Sequence, residues 1–260
     1  MIKKHIPNAI TSGNLLCGCL AIVKIFEGNL VWAAYLVGIA LILDFFDGFA
    51  ARMLKVSSAI GKDLDSLADM VTFGVVPGLI MFKIIDTSRI VNMTAGMDIP
   101  GMGGVANDNA IYWPAYFAFI IPIFSAIRLA KFNNDTRQSD SFIGLPTPAN
   151  AMFICSLPLI FNINQSFLSN EHIFNIGKIV LQPYVLCSLS LVLSLLLVSE
   201  LPLIALKFKN LGWTDNKLRF IFLGLSVTLL IFFQYFGIPL VIILYILLSI
   251  VDNIFLKNKV

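Results

Sequence analysis

Long apolar runs, separated by short polar breaks, dominate the chain. A helix that crosses a hydrocarbon core of about 30 Å needs about 20 mostly apolar residues. Runs of that kind predict spans at 8–26, 30–53, 60–84, 110–132, 147–163 and 176–199. A final uncharged run from Phe220 to Val251 would make a helix of about 48 Å, too long for one crossing. Gly237 and Pro239 punctuate its middle, so it predicts a hairpin of two spans, 217–236 and 238–257. The expectation is an all-α, polytopic membrane helix bundle of eight spans.

Composition agrees with the pattern. Charged residues make up 13% of the chain and its mean hydropathy is +0.89, whereas a soluble domain carries about 25% charge. The net charge of +3 comes without a basic tract suited to nucleic acid. Cys17, Cys19, Cys155 and Cys187 all sit in apolar stretches and read as buried thiols. The basic start, residues 1–11, leads into an apolar stretch without an A-x-A-like site, so it reads as a first span rather than a cleaved leader.

Charge position sets the expected orientation. With both termini inside, 14 of the 18 basic residues fall on the inner side, leaving Lys24, Lys83, Arg89 and Lys178 outside. That bias predicts cytoplasmic ends, as in a bacterial inner membrane protein. The glycine-rich 86–109 connection then lies outside, with a chance-level glycosylation sequon at Asn92. Trp32, Trp113, Tyr112 and Tyr116 form an outer aromatic belt. The two halves share no motif, which disfavours an inverted-repeat transporter.

One stretch, residues 44–69, is out of place in a bilayer. Asp44 and Asp47 fall in the inner half of span 2, and Asp65 and Asp69 in the inner half of span 3. Four uncompensated acids would cost on the order of 10 kcal/mol to insert. At about 100° per residue, Asp44, Asp47, Gly48 and Ala51 share one helix face, with Arg52 a turn beyond Gly48. Gly61, Asp65 and Asp69 step by four along the next helix, and a short turn at residues 56–59 makes the two helices antiparallel neighbours. Converging carboxylates need cations to stay ionised together, and oxygen ligands favour Mg²⁺ or Mn²⁺. Two such ions would clamp a diphosphate, the small residues would leave room for it, and Arg52 offers a fork for its oxygens. Neither His5 nor His172 is near, which disfavours zinc. The plain alternative is pairing of the acids with Arg52, Lys55 and Lys62 at a solvated helix end, the reading adopted for Asp63.

These residues resemble a known signature. Asp44-x₂-Asp47-Gly48-x₂-Ala51-Arg52-x₈-Gly61-x₃-Asp65-x₃-Asp69 looks like the motif of the CDP-alcohol phosphatidyltransferase family, with every fixed position filled. The resemblance implies a six-helix core (residues 1–200) with the 201–260 hairpin appended. It implies transfer of a phosphatidyl group from CDP-diacylglycerol to an alcohol, with release of CMP. It also implies that Asp44, Asp47, Asp65 and Asp69 bind two divalent cations, that Asp69 is the general base, and that Gly48, Ala51, Arg52 and Gly61 line the CDP site. A homodimer is the family expectation. Segments 6–18, 64–78, 127–133 and 142–150 are similar to membrane-bound phosphatidylserine synthases, which points to L-serine as acceptor.

Other polar residues leave alternatives open. Arg128 and Lys131 suit an acceptor carboxylate or lipid phosphate, or equally a basic pair facing headgroups. Asn8, Thr11 and Asn14 could face the nucleotide, or Asn8 and Thr11 could cap a helix. Pro146 and Pro148 suit a helix start, and Pro77 a kink in span 3. Spans 7 and 8 show no catalytic-looking polar residue. Rival functions are the same chemistry on glycerol phosphate or inositol, or a divalent-cation transporter with acids along the full membrane depth.

Overall fold

The computed structural model describes residues 5–56, 58–94, 112–134, 142–167, 179–204 and 212–253. Most of the 86–109 connection, the side chain of Asn92, His172 and many of the basic residues used for orientation lie outside the described residues or side chains.

Helices α1 (His5–Phe26) and α2 (Leu30–Leu54) form a close antiparallel pair. Asn29 starts α2 by accepting the Trp32 N–H at 3.1 Å. Small side chains such as Ala21, Ala33 and Ala34 are buried between the helices and let the backbones approach. At the other end of α2, Lys55 turns left-handed (φ 52°) and Val56 N–H returns to the Ala51 carbonyl at 3.0 Å. Ser58 caps α3 (Ala59–Asp69) by accepting the Gly61 N–H at 3.0 Å. These two caps build the reversal expected at residues 56–59.

After α3, a π-helical turn (Met70–Val75) leads into α4 (Val76–Thr94). The helix therefore continues well past the end expected at 84. Pro77 is the second residue of α4 and directly follows this wide turn, a place where its missing N–H is accommodated. The 59–88 helix is the hub of the bundle, with 67% of its most apolar window buried, and Phe73, Ile80 and Met81 fully enclosed.

The next span is α5 (Trp113–Tyr116), one 3₁₀ turn (Phe117–Phe119) and α6 (Ile120–Asn134). Strand β1 (Phe142–Ile143), α7 (Thr147–Phe167), α8 (Pro183–Val198) and β2 (Pro202–Leu203) follow. The two-residue strands pair antiparallel and were not expected from the sequence. Gly144, at φ 75°, connects β1 to α7, and a Cβ there would sit 2.6 Å from the Leu197 carbonyl oxygen. Only glycine fits.

The last apolar run folds back on itself. Helix α9 (Trp213–Phe233) reverses through residues 234–236 into α10 (Gly237–Val251), and Phe222 packs against Tyr245 with ring centroids 5.6 Å apart. The break falls slightly before the predicted Gly237. Only 11% of this region's most apolar window is buried, which places the hairpin at the periphery. Among the described residues, five helical stretches are long and apolar enough to cross a membrane, while Thr147–Phe161 and Pro183–Val198 are shorter apolar helices. Exposed Leu20, Ile42, Phe45 and Phe232 mark faces suited to acyl chains. Trp32, Trp113 and Tyr116 are exposed as a belt requires. The cysteines are free, but of the four expected to be buried only Cys155 is; Cys17 and Cys187 are half-buried and Cys19 is exposed on α1.

Candidate active site

The α2–α3 reversal brings the acids together. One carboxylate oxygen from each of Asp44, Asp47 and Asp65 lies within 4.8 Å of the others. Asp69, one turn further along α3, lies within electrostatic reach of Asp44 and Asp65 but outside this trio. Asp47 and Asp69 are buried, and Asp44 and Asp65 half-buried. Among the described residues, none of the four makes an ion pair, and the one pair present is Lys24–Glu27 at 2.6 Å, at the far end of α1. The pairing alternative is thereby corrected. Arg52 and Lys55 are exposed, and Lys62 donates to the Asn133 carbonyl at 3.0 Å. Asp63 is exposed as expected but likewise unpaired among the described residues. A half-buried set of unpaired carboxylate oxygens is a hard-cation donor set, and the cluster can hold a divalent cation.

Helix α1 supports these acids. Thr11 Oγ1 donates to Asp47 Oδ2 at 2.6 Å, and Asn14 Nδ2 donates to Asp69 Oδ1 at 3.3 Å. Both lie inside α1, which starts no later than His5, so the capping alternative for Asn8 and Thr11 falls away. Thr72, in the π turn, donates to the Asn14 carbonyl at 3.3 Å and ties that turn to α1.

Beside the trio opens a cleft of about 260 Å³. Its walls include Asn8, Thr11, Asp47, Gly48, Ala51, Gly61 and Asp65, seven of the residues singled out in the sequence. Nothing lies within 4 Å of a Cβ built on Gly48, so this glycine keeps the cleft open. Gly61 acts differently: its missing Cβ makes room for Asn8 Oδ1 and Ser58 Oγ, at 3.0 and 2.9 Å. Arg52 is not part of this wall; Lys62 is. The sequence reading took Lys62 only for an ion-pair partner, although it lies one residue after Gly61.

Arg128 and Lys131 separate. Lys131 is exposed, as a headgroup-facing lysine should be. Arg128 is 7% exposed, with its guanidinium 5.0 Å from the Phe132 ring centroid and its Nε without a partner. It lies within electrostatic reach of Asp69 and of Tyr245 on α10. Tyr245 is buried and donates to the Ile204 carbonyl at 2.9 Å, so the C-terminal hairpin does bring one polar group near the site. Helix period could have found it, since Tyr245 and Ser249 are four apart on one face of an otherwise apolar run.

The sequence profile of CDP-alcohol phosphatidyltransferase matches residues 4–184. The CDP-diacylglycerol–serine O-phosphatidyltransferase of Helicobacter pylori strain J99 is 31% identical over 256 residues, covering 98% of this chain and 93% of that protein. The protein of the same name from Bacillus subtilis is 34% identical over 158 residues, covering 61% and 77% of the two chains. The archaetidylserine synthase of Methanothermobacter thermautotrophicus is 28% identical over 156 residues, covering 59% and 58%.

Proposed function

The chain belongs to the CDP-alcohol phosphatidyltransferase family, and on that premise we propose that it transfers the phosphatidyl group of CDP-diacylglycerol to the hydroxyl of L-serine. The family membership displaces the cation-transporter alternative. The observation that carries the reading is the trio of unpaired carboxylates within 4.8 Å, opening onto a cleft, with a fourth acid beside it.

The serine oxygen attacks the phosphorus that carries diacylglycerol. The bond from that phosphorus to the bridging oxygen breaks, and CMP leaves with that oxygen. Asp69 takes the serine hydroxyl proton; Asn14 holds the Asp69 carboxylate by one oxygen and leaves the other free to accept it. Thr11 fixes the rotamer of Asp47. Asn8, Gly48, Ala51, Gly61 and Lys62 shape the wall for the cytidine diphosphate, and Arg52, exposed a turn beyond Gly48, offers its guanidinium to phosphate oxygens. Two Mg²⁺ or Mn²⁺ ions held by Asp44, Asp47 and Asp65, with Asp69 completing the set, would neutralise the diphosphate and the charge building on departing CMP. Arg128 serves the acceptor and Lys131 the lipid headgroup region.

Serine is favoured as acceptor by the named relatives and by the four flanking segments. The proposed architecture is a six-span core over 1–200 with an appended 201–260 hairpin. The protein would work as a homodimer in a bacterial inner membrane, with its termini and cleft on the cytoplasmic side, in keeping with the 14-to-4 basic bias.

The test is CMP release from CDP-diacylglycerol by purified protein, with L-serine, glycerol 3-phosphate and inositol in parallel. Serine-dependent release that EDTA abolishes, and that Asp69→Asn reduces by about 100-fold or more, is the expected result. Release with glycerol phosphate or inositol alone would reassign the acceptor. Full activity in Asp69→Asn would remove the base, and insensitivity to EDTA would remove the cations.

A further inference from the structure

The C-terminal hairpin lies beyond residues 4–184, which the family profile matches, yet it makes directional contacts to the core that a purely lipid-facing appendage does not need. Three polar side chains step by four along one side of α10 and its end: Tyr245, Ser249 and Asn253. All three meet the β2 segment. Ile204, the residue after β2, donates its N–H to Ser249 Oγ at 3.1 Å, and its carbonyl accepts from the Tyr245 hydroxyl at 2.9 Å. Asn253 Nδ2 donates to the Pro202 carbonyl. Ser249 has no solvent exposure, and Leu203 packs with Phe222 and Tyr245. Strand β2 pairs with β1 through only two residues on each side, and a two-stranded ribbon that short is not stable by itself. It depends on what holds it from outside. The ribbon also leads to the site. Gly144 N–H donates to the Leu201 carbonyl and Leu145 N–H to the Leu196 carbonyl, each at 2.9 Å, and α7 starts two residues later. Helix α7 packs against the π turn that follows Asp69, and Tyr245 lies within electrostatic reach of Arg128. At the opposite end of the hairpin, the Tyr35 and Tyr235 hydroxyls are hydrogen-bonded at 2.9 Å, which ties the reversal to α2.

We infer that α10 is a brace for the transfer reaction: Tyr245 and Ser249 grip the β2 segment, and through the β1–β2 ribbon they hold the start of α7 against the catalytic end of the bundle. Both are positioning residues, and neither borders the 260 Å³ cleft. The inference rests on the proposed transfer to serine and gives the appended hairpin a task in it. Apolar packing alone would keep α10 beside α7 and still let the short ribbon slide, because contacts between aliphatic side chains are non-directional. The two hydroxyls remove that freedom, since a hydrogen bond tolerates only a narrow range of distance and angle. A backbone N–H or C=O left without its partner in an apolar surrounding is costly. Loss of either hydroxyl therefore favours a shifted strand rather than the same strand with one bond fewer.

The experiment compares full-length wild type with Tyr245→Phe, Ser249→Ala and Ser249→Thr, each well below its melting temperature. One readout is amide hydrogen exchange at Gly144 and Leu145, which needs no substrate; the other is steady-state kinetics of CMP release. In Tyr245→Phe and Ser249→Ala, exchange at these two amides should quicken by about fivefold or more, the size of one buried backbone group losing its partner. The kcat/KM for L-serine should fall by a similar factor. The KM for CDP-diacylglycerol should stay within about twofold, because the cleft is walled by residues of α1, α2, α3 and the α2–α3 turn. Ser249→Thr keeps the hydroxyl and should restore both readouts. If one variant fails to fold, the other decides. Unchanged exchange at Gly144 and Leu145 would overturn the brace, and so would faster exchange with an unchanged kcat/KM for serine. Kinetic constants for both substrates worsening together would leave the hairpin a general stabiliser and overturn it likewise. A wild type that releases CMP with another alcohol and not with serine would sink the transfer-to-serine reading alone; the brace is then decided by the exchange readout and by kcat/KM for that alcohol.

Discussion

Replacing Asp65 with asparagine should make the cation-free protein more stable and the cation-loaded protein inactive. With three carboxylate oxygens within 4.8 Å of one another, each ionised pair repels by about 3.5 kcal/mol at an effective dielectric of about 20. Asp65→Asn removes two of the three repulsive pairs and keeps the volume. Proton uptake from solvent already relieves part of the repulsion, so the expected gain without cations is about 1–3 kcal/mol. In a chain of this size that corresponds to a rise in Tm of about 2–4 °C per kcal/mol. The assay is thermal unfolding in detergent, followed by tryptophan fluorescence, first with EDTA and then with millimolar Mg²⁺ or Mn²⁺. Wild type should gain stability from the cation, through linkage between binding and folding, and the variant should lose most of that gain. A variant that melts lower than wild type in EDTA, or that keeps the full cation-induced shift, would refute the idea that these acids are held together against repulsion for a cation.

Two glycines should respond in opposite directions. Gly48→Ala meets nothing within 4 Å and removes a helical glycine, so it should stabilise by about 0.5–1 kcal/mol while narrowing the cleft, seen as a higher Tm with a higher KM for CDP-diacylglycerol. A lower KM would mean that the nucleotide does not lie against this face. Gly144→Ala, at φ 75° and facing the Leu197 and Ser199 carbonyls, should destabilise by about 1–3 kcal/mol, seen as a lower Tm. An unchanged Tm would show that the β1–α7 junction can relax.

Periodicity was enough for the framework, because a bilayer forces every backbone polar group into a helix or a closed sheet. It placed the helices to within a few residues over most of the chain, and its hairpin at Gly237 differs from the observed reversal by a few residues. It also singled out the four acids, since charge in an apolar helix is conspicuous, and the spacing of Asp44, Asp47, Gly48 and Ala51 put them on one face. What periodicity could not supply was direction and partnership. Arg128 and Lys131 look alike three residues apart, yet one is enclosed and the other exposed, because rotation of α6 against the hub is decided by packing with α8 and the π turn. Thr11 read almost equally as a cap, and Asn14 as a residue that could face the nucleotide, until the α1–α2 and α1–α3 contacts set them against Asp47 and Asp69. Asn150 carries no local signal beyond its polarity. The burial that leaves its amide without a partner arises only when α7 closes on the π turn, a feature that short-range sequence rules do not encode. The amino-acid order by itself therefore determined that this is a membrane bundle with an acidic face that could hold a divalent cation. Which polar groups meet that face, and which are left without partners around it, depended on helix rotation, and only the tertiary structure decided that.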